Sequence, residues 1–332
     1  MPERIASYFE PAPDQMVQCH LCPHQCSIKI GKTGLCGVRR NGDGVLYTLN
    51  YGEITSLALD PVEKKPLYHF HPGSMIVSAG TVGCNMFCSF CQNYSISRHR
   101  PPTTAVEPGE LAGIAREAAG QGSIGVAFTY NEPSIWYEFI WDTVQKLKEN
   151  GLNTVLVTNG YLQLKPLQNL LPYIDAMNID VKAFNDGFYR RRCMADLNHV
   201  KETVENAVGR THVEITNLVI PGENDDMAEI GALAEWLAGL SPLIPLHISR
   251  YYPAYQMSTP PTSVATLEQA VLTAREHLRF VYAGNINGIA DDTLCPHCGH
   301  CLITRQNYET RIVGITANCC SNCGTPTTFI HM

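Results

Sequence analysis

Cys84, Cys88 and Cys91 stand in the run Cys84-Asn-Met-Phe-Cys88-Ser-Phe-Cys91, directly after the apolar residues 75–79. Zinc ribbons use pairs of C-x2-C, and ferredoxin-type runs recruit four cysteines per iron–sulfur cluster. Three close thiolates at C-x3-C-x2-C spacing can hold a [4Fe–4S] cube and leave one iron without a protein ligand. An open metal position is where chemistry occurs, as in zinc enzymes that keep a coordination position for substrate. The plainer alternative is a structural metal clip completed by a distant fourth cysteine.

The chain has 332 residues and 14 cysteines, a usage that points to metal ligands before disulfides. Cys295-Pro-His-Cys298-Gly and Cys320-Ser-Asn-Cys323-Gly are two C-x2-C-G knuckles. Tetrahedral zinc takes four soft ligands from two such turns, and each glycine lets the backbone bend towards sulfur. A zinc-ribbon-like C-terminal domain is therefore expected over 291–332, with Cys301 and Cys319 as surplus thiols that could replace a member. Cys19, Cys22, Cys26 and Cys36 form another set, spaced C-x2-C-x3-C-x9-C. An N-terminal module this small needs a metal to order it. Zinc or a second iron–sulfur cluster would serve, and His20 and His24 keep mixed ligation open. Cys193 stands alone, either a plain residue or a thiol on the rim of a site.

Positioning these groups falls to alternating elements. Apolar, β-rich runs at 75–79, 125–129, 154–158, 176–181, 212–219, 246–249 and 280–282 alternate with amphipathic stretches at 108–119, 134–149, 200–208, 227–240 and 264–277. The stretches carry apolar residues at helical spacing. Strands alternating with helices predict a parallel α/β sheet, too short for a full eight-fold barrel and suited to a partial, TIM-like (β/α)6 barrel. The expected organisation is a four-cysteine module with linker over 1–73, the barrel over 74–290 and the cysteine tail over 291–332. Net charge is −7 without a dense Lys/Arg block, and the tail's cations are Arg305 and Arg311, so nucleic acid is not an expected partner. No signal-peptide core or 18-residue apolar run occurs, which predicts a cytoplasmic protein with no membrane partner.

Several strands end in polar punctuation, where parallel α/β folds place their ligands. Thr129-Tyr-Asn131-Glu132-Pro follows the second strand and reads also as a helix start, with Asn131 as N-cap and Pro133 in the first turn. Thr158-Asn159-Gly follows the third. Asp180 and Lys182 close the fourth on one face of the strand. An inward acid and lysine are costly unless they meet a ligand or each other. Asn159 and His247 are weaker candidates, since an inward histidine is often a satisfied core residue. Segments 221–225 and 284–288 complete the expected rim.

The cysteine loop resembles that of the radical S-adenosylmethionine (SAM) superfamily, whose open iron chelates the amine and carboxylate of SAM. The likeness spans most of the chain: Cys19-x2-Cys22-Pro-His-x-Cys26, Asp60-Pro-Val-Glu-Lys-Lys-Pro-Leu-Tyr-His-Phe, Gly83-Cys-Asn-x2-Cys-x2-Cys-Gln-Asn, Tyr130-Asn-Glu-Pro, Thr158-Asn-Gly-Tyr, Asn178-Ile-Asp-Val-Lys-Ala-Phe, Val219-Ile-Pro-Gly-Glu-Asn-Asp and Ser249-Arg-Tyr-Tyr-Pro-Ala-Tyr. These motifs are similar to the radical SAM member of the AmmeMemoRadiSam system, related to pyruvate formate-lyase activating enzymes. The resemblance implies a [4Fe–4S] cluster at Cys84, Cys88 and Cys91, and SAM contacts from Glu132, Asn131, Asn159, Asp180, Lys182 and His247. It implies a flavodoxin- or ferredoxin-like electron donor and Memo-like and AMMECR1-like partner proteins. The implied reaction is reductive cleavage of SAM to a 5′-deoxyadenosyl radical for hydrogen abstraction, from a partner protein or else from a small molecule or nucleotide. A metal scaffold without catalysis is the rival of another class. The chain departs from activating enzymes at Val157, where they carry an Asp.

Overall fold

The computed structural model describes residues 4–286, 291–306 and 308–332. Asn287 and Gly288, expected to end the rim segment after the last strand, lie outside these, as does the expected boundary at residue 290.

An eight-stranded sheet organises the molecule. In chain order its strands are β1 (Ser56–Pro61), β2 (Met75–Gly80), β3 (Ser123–Phe128), β4 (Asn153–Thr158), β5 (Ala176–Asp180), β6 (His212–Val219), β7 (Leu246–Arg250) and β8 (Val281–Gly284). They are also neighbours in that order. β2 to β8 run parallel, and β1 lies antiparallel on the β2 edge, pairing Ser56 with Gly80 and Pro61 with Met75. The crossovers carry α1 (Pro108–Glu117), α2 (Tyr137–Glu149), α3 (Leu164–Leu170), α4 (Leu197–Ala207), α5 (Met227–Leu240) and α6 (Val264–Arg275). A sheet covered on both faces needs near-continuous apolar strands, and β2 and β3 are almost wholly buried.

The parallel strands and five of the helices stand where the apolar periodicity puts them, within a few residues. β1 and α3 have no counterpart in that periodicity. β1 ends in Asp60-Pro61, which reads as a turn, but an edge strand tolerates a proline because one side of it makes no ladder bonds. α3 carries Pro166 in its first turn, where the missing N–H has no helical partner to lose.

The sheet's inward face divides in two. Near the strand N-termini, Ile76, Ala127, Val155 and Ala176 pack with Val62, Leu67 and Phe70 from the β1–β2 connection. This plug surrounds Glu214, whose carboxylate accepts from the backbone N–H groups of Tyr68 (3.0 Å) and His69 (2.7 Å), and bonds His212 Nε2 (2.9 Å) and His247 Nε2 (2.6 Å). Burial disfavours the Glu214 carboxylate, but His212 and His247 outweigh it and hold the group well below the usual range. Towards the strand C-termini the same face turns polar.

Before the sheet, the chain folds into small antiparallel strands, with Phe9–Ala12, Met16–Cys19 and Ser27–Ile28 in one sheet and Arg4–Ile5, Val45–Thr48 and Arg39–Gly42 in another. After it, Thr293–Leu294, Cys301–Gln306 and Glu309–Ile312 form a three-stranded sheet at the plugged end. Arg305, which the sequence presents as a free cation of the tail, is instead its buried anchor. Its guanidinium donates to the Tyr68 carbonyl (2.5 Å) and to Thr293 Oγ1 (2.7 Å), and lies over the Tyr68 ring.

Candidate active site

A cavity of about 360 Å³ opens at the strand C-termini. Its lining includes Cys84, Cys88 and Cys91 from the loop after β2, Asn131 and Glu132 after β3, and Asn159 after β4. Asp180 and Lys182 come from the end of β5 and Lys64 and Lys65 from the β1–β2 connection. All the expected site residues of the sheet except His247 meet here. His247 is paired in the ladder with Thr216, a lining residue, but is 3% exposed at its side chain and committed to Glu214.

The cysteine loop is held from several sides. Asn131 donates to the Gly83 carbonyl (2.8 Å) and accepts from Thr81 N (3.1 Å), so it braces the loop rather than capping a helix. Arg98 donates to the carbonyls of Cys84 (2.7 Å) and Met86 (2.8 Å) and stacks on Phe87. A wide helical turn, Tyr189–Cys193, accepts from Phe87 N at Cys193 (2.8 Å) and from Ser89 N at Arg192 (3.0 Å). That turn puts the buried Cys193 thiol against Cys88. Hydrogen bonding to Cys193, then burial, keeps the Cys88 thiol protonated well above its ordinary range. Burial does the same at Cys84. Thiolates become favourable here when a cation binds them.

Glu132 is the N-cap of the short 3-10 helix Pro133–Trp136, the place expected of Asn131. Its Oε1 accepts from Ser134 N (2.9 Å) and Thr158 Oγ1 (2.7 Å), and its Oε2 accepts from Asn159 N (2.8 Å). Asn159 then extends Nδ2 to Asn85 Oδ1 (2.9 Å) and to within 3.8 Å of Cys84 Sγ. Tyr130 adopts a left-handed φ of 71°, strained for a bulky residue. Its hydroxyl donates to Asp60 Oδ2 (2.8 Å).

Asp180 and Lys182 pair at 2.9 Å, both on the cavity wall. Burial disfavours the Lys182 ammonium, but Asp180, Cys88 and Cys193 outweigh it and raise the group well above its ordinary range. Across the cavity, Lys65 and Lys64 both reach Asp60, at 2.9 and 3.1 Å. The wall thus carries ammonium groups on two sides. Strand-end reasoning gives the Asp60–Lys65 segment no place in the site, yet its signal is present: an acid and two lysines within six residues of a strand end. Asn85, beside Cys84, also escapes that reasoning.

The other cysteine sets differ in compactness. Among the described residues, Cys295, Cys298, Cys320 and Cys323 are the one group of potential ligands whose atoms all lie within 4.8 Å of one another. Cys295 and Cys323, and Cys298 and Cys320, approach to 3.7 Å. Zinc with Zn–S bonds of about 2.3 Å holds tetrahedral sulfurs roughly 3.8 Å apart. The set fits one metal ion, and Cys301 and Cys319 stand outside it.

Residues 79–234 match the family model described as the Radical SAM superfamily. An uncharacterized protein of Methanocaldococcus jannaschii is 41% identical to the chain, over 97% of this chain and 98% of its own length. The pyruvate formate-lyase 1-activating enzyme of Escherichia coli is 23% identical over 175 residues, covering 51% of this chain and 71% of that protein. A radical SAM methyltransferase from Sphaerobacter thermophilus superposes with a TM-score of 0.53 at 20% identity, over 64% of this chain and 67% of that structure, a likeness of fold.

Proposed function

This chain belongs to the radical SAM superfamily, and on that premise we propose that Cys84, Cys88 and Cys91 hold a [4Fe–4S] cluster, beside which SAM binds in the cavity at the strand C-termini. One observation carries the assignment: the three cysteines, Asn131, Glu132, Asn159 and the Asp180–Lys182 pair line the same cavity. When bound, the cluster supplies the electron that cleaves SAM to methionine and a 5′-deoxyadenosyl radical, which abstracts hydrogen from substrate.

The chain's own residues bind and orient. Asn131, Arg98 and the Tyr189–Cys193 turn fix the three sulfurs. Lys182 offers an ammonium to the SAM carboxylate, and Asp180 offers an acceptor to ribose hydroxyls. Val157 has no polar atom to offer the ribose and Thr158 is spent on Glu132, so on β4 that task passes to Asn159, which lines the cavity. Glu132 acts through those two residues, fixing the loop they belong to. The plug beneath the cavity excludes water from that side.

Hydrogen abstraction from a partner polypeptide is the version we favour, as in the activating enzymes to which part of the chain is similar. The motifs that run from Cys19 to Tyr255 support placement in the AmmeMemoRadiSam system, with Memo-like and AMMECR1-like partners, and a division into units at 1–73, 74–290 and 291–332. A zinc ion is proposed for the C-terminal quartet.

Anaerobic reconstitution with iron and sulfide, followed by dithionite and SAM, tests the reading by quantifying 5′-deoxyadenosine. Product from wild type and none from Cys88→Ala is expected. A reduced cluster whose EPR signal ignores SAM, with no deoxyadenosine, refutes it in favour of a scaffold.

A further inference from the structure

We propose that Cys19, Cys22, Cys26 and Cys36 hold an iron–sulfur cluster, not zinc, and that it passes electrons to the cluster at Cys84, Cys88 and Cys91. The inference rests on the SAM-cluster reading above and adds a second redox site to it.

Compactness argues for the metal. The C-terminal quartet closes to single-ion distances. Among the described residues, no three ligand atoms of the N-terminal set lie within 4.8 Å of one another, and neither do the sulfurs of Cys84, Cys88 and Cys91. The N-terminal set is nevertheless drawn together: the Cys19 N–H donates to the Cys26 carbonyl at 2.9 Å. A spread set that still converges fits a multi-iron core. Gly34 lies so close to Cys26 that an added Cβ would meet its sulfur at 3.5 Å. The buried Arg39 guanidinium, ion-paired with Glu138, sits 3.9 Å from Cys19 Sγ. A cation beside a ligand sulfur sets a redox potential, which zinc does not have.

Contacts argue for the transfer. Gly83, which precedes Cys84, takes a left-handed φ of 87°, and a Cβ on it would lie 2.6 Å from the Cys36 carbonyl oxygen. His24, two residues from Cys22, bonds through Nε2 to the Asn85 carbonyl at 2.7 Å. The two sets thus meet through residues that are ligands or lie within two positions of one. One electron from a reduced flavodoxin takes the N-terminal cluster from 2+ to 1+. Its passage onward restores 2+ there and reduces the second cluster, with no bond or proton transferred.

The test is metal and sulfide analysis of the full chain carrying Cys84→Ala, Cys88→Ala and Cys91→Ala together, with zinc at the C-terminal quartet reporting that the chain is folded. About four irons per chain and a dithionite-induced EPR signal are expected. Zinc in excess of the C-terminal site without iron, or no further metal, overturns the cluster. Wild type that makes no deoxyadenosine while this variant keeps its iron would count against the SAM reading alone. In wild type mixed with reduced flavodoxin, freeze-quench EPR should show the signal of the variant first, decaying as a SAM-responsive signal grows. The SAM-responsive signal arising first overturns the relay.

Discussion

Replacing Glu132 separates a residue that binds SAM from one that builds the site. Its carboxylate is 1% exposed and accepts three protein hydrogen bonds, from Ser134 N, Thr158 Oγ1 and Asn159 N. In Glu132→Gln one oxygen keeps two of them, and the amide N–H₂ faces the Asn159 N–H. A charge-assisted bond to a buried donor contributes about 1.5–3 kcal/mol. Part of that loss is offset because burial already disfavours the Glu132 charge and raises its pKa. A net loss of about 2 kcal/mol is expected for Gln, and about 4 kcal/mol for Ala, which orphans all three donors. Thr158→Val removes one bond and should cost about 1 kcal/mol. Thermal midpoints should fall least in Thr158→Val, more in Glu132→Gln and most in Glu132→Ala, with SAM affinity falling in the two Glu132 variants as Asn159 loses its tether. Unchanged midpoints in Gln and Ala, with SAM affinity alone reduced, would refute the stapling role and return Glu132 to direct contact with SAM.

Acid should weaken the plug. Burial lowers the His69 imidazole to about 3, against Glu214, which favours its charge. The unfolded chain takes up this proton near pH 6.5. The contribution to stability is therefore complete above about pH 6.5 and is lost towards pH 3, at about 1.4 kcal/mol per pH unit. Thermal midpoints measured across that window should show a shallower slope in His69→Phe, and an unchanged slope refutes the assignment. At the opposite extreme of the chain, Thr325 donates to Cys323 and pulls its thiol down to about 6, making a thiolate available at neutral pH. Chelation should remove one zinc per chain and open residues 291–332 to limited proteolysis, and a tail that stays resistant after metal loss would show that its own packing suffices.

Period and spacing are what the sequence makes legible. The parallel strands announce themselves because burial on both faces demands apolar runs, and the cysteine knuckles because ligands must share a turn. The rim residues Asn131, Glu132, Asn159, Asp180 and Lys182 follow from their places at strand ends. What those side chains do there is less legible. Glu132 takes the cap expected of Asn131, and Asn131 braces the cysteine loop instead, since capping is decided by which side chain the turn aims back at the helix, a matter of backbone angles after the strained Tyr130. His247 has the inward parity expected of it and the register of Thr216, but its imidazole is taken up by Glu214. Its commitment to Glu214 needs the 67–70 plug, which no periodicity reveals. Cys193 gives no signal in one dimension because its partner, Cys88, is brought to it by a helical turn of unusual width.

The two cysteine-rich appendages lie at opposite ends of the sheet, and this constrains what each can do. The C-terminal domain meets Tyr68, His69, Phe70 and His212, all at the plugged end, through Arg305, Phe329 and His331. It also reaches the cavity's outer wall, where Lys64 lies 5.4 Å from the centre of the Tyr308 ring. The N-terminal module instead touches the cysteine loop itself, at Gly83 and Asn85. At the open rim Tyr94 stacks on Tyr255 at 5.0 Å, and both rings remain partly exposed beside the loop. Aromatic surface of that kind offers contact area at low conformational cost. On the reading proposed here, the rim around Tyr94 and Tyr255 is the surface left for a partner, and the module behind the loop is the one placed to deliver an electron.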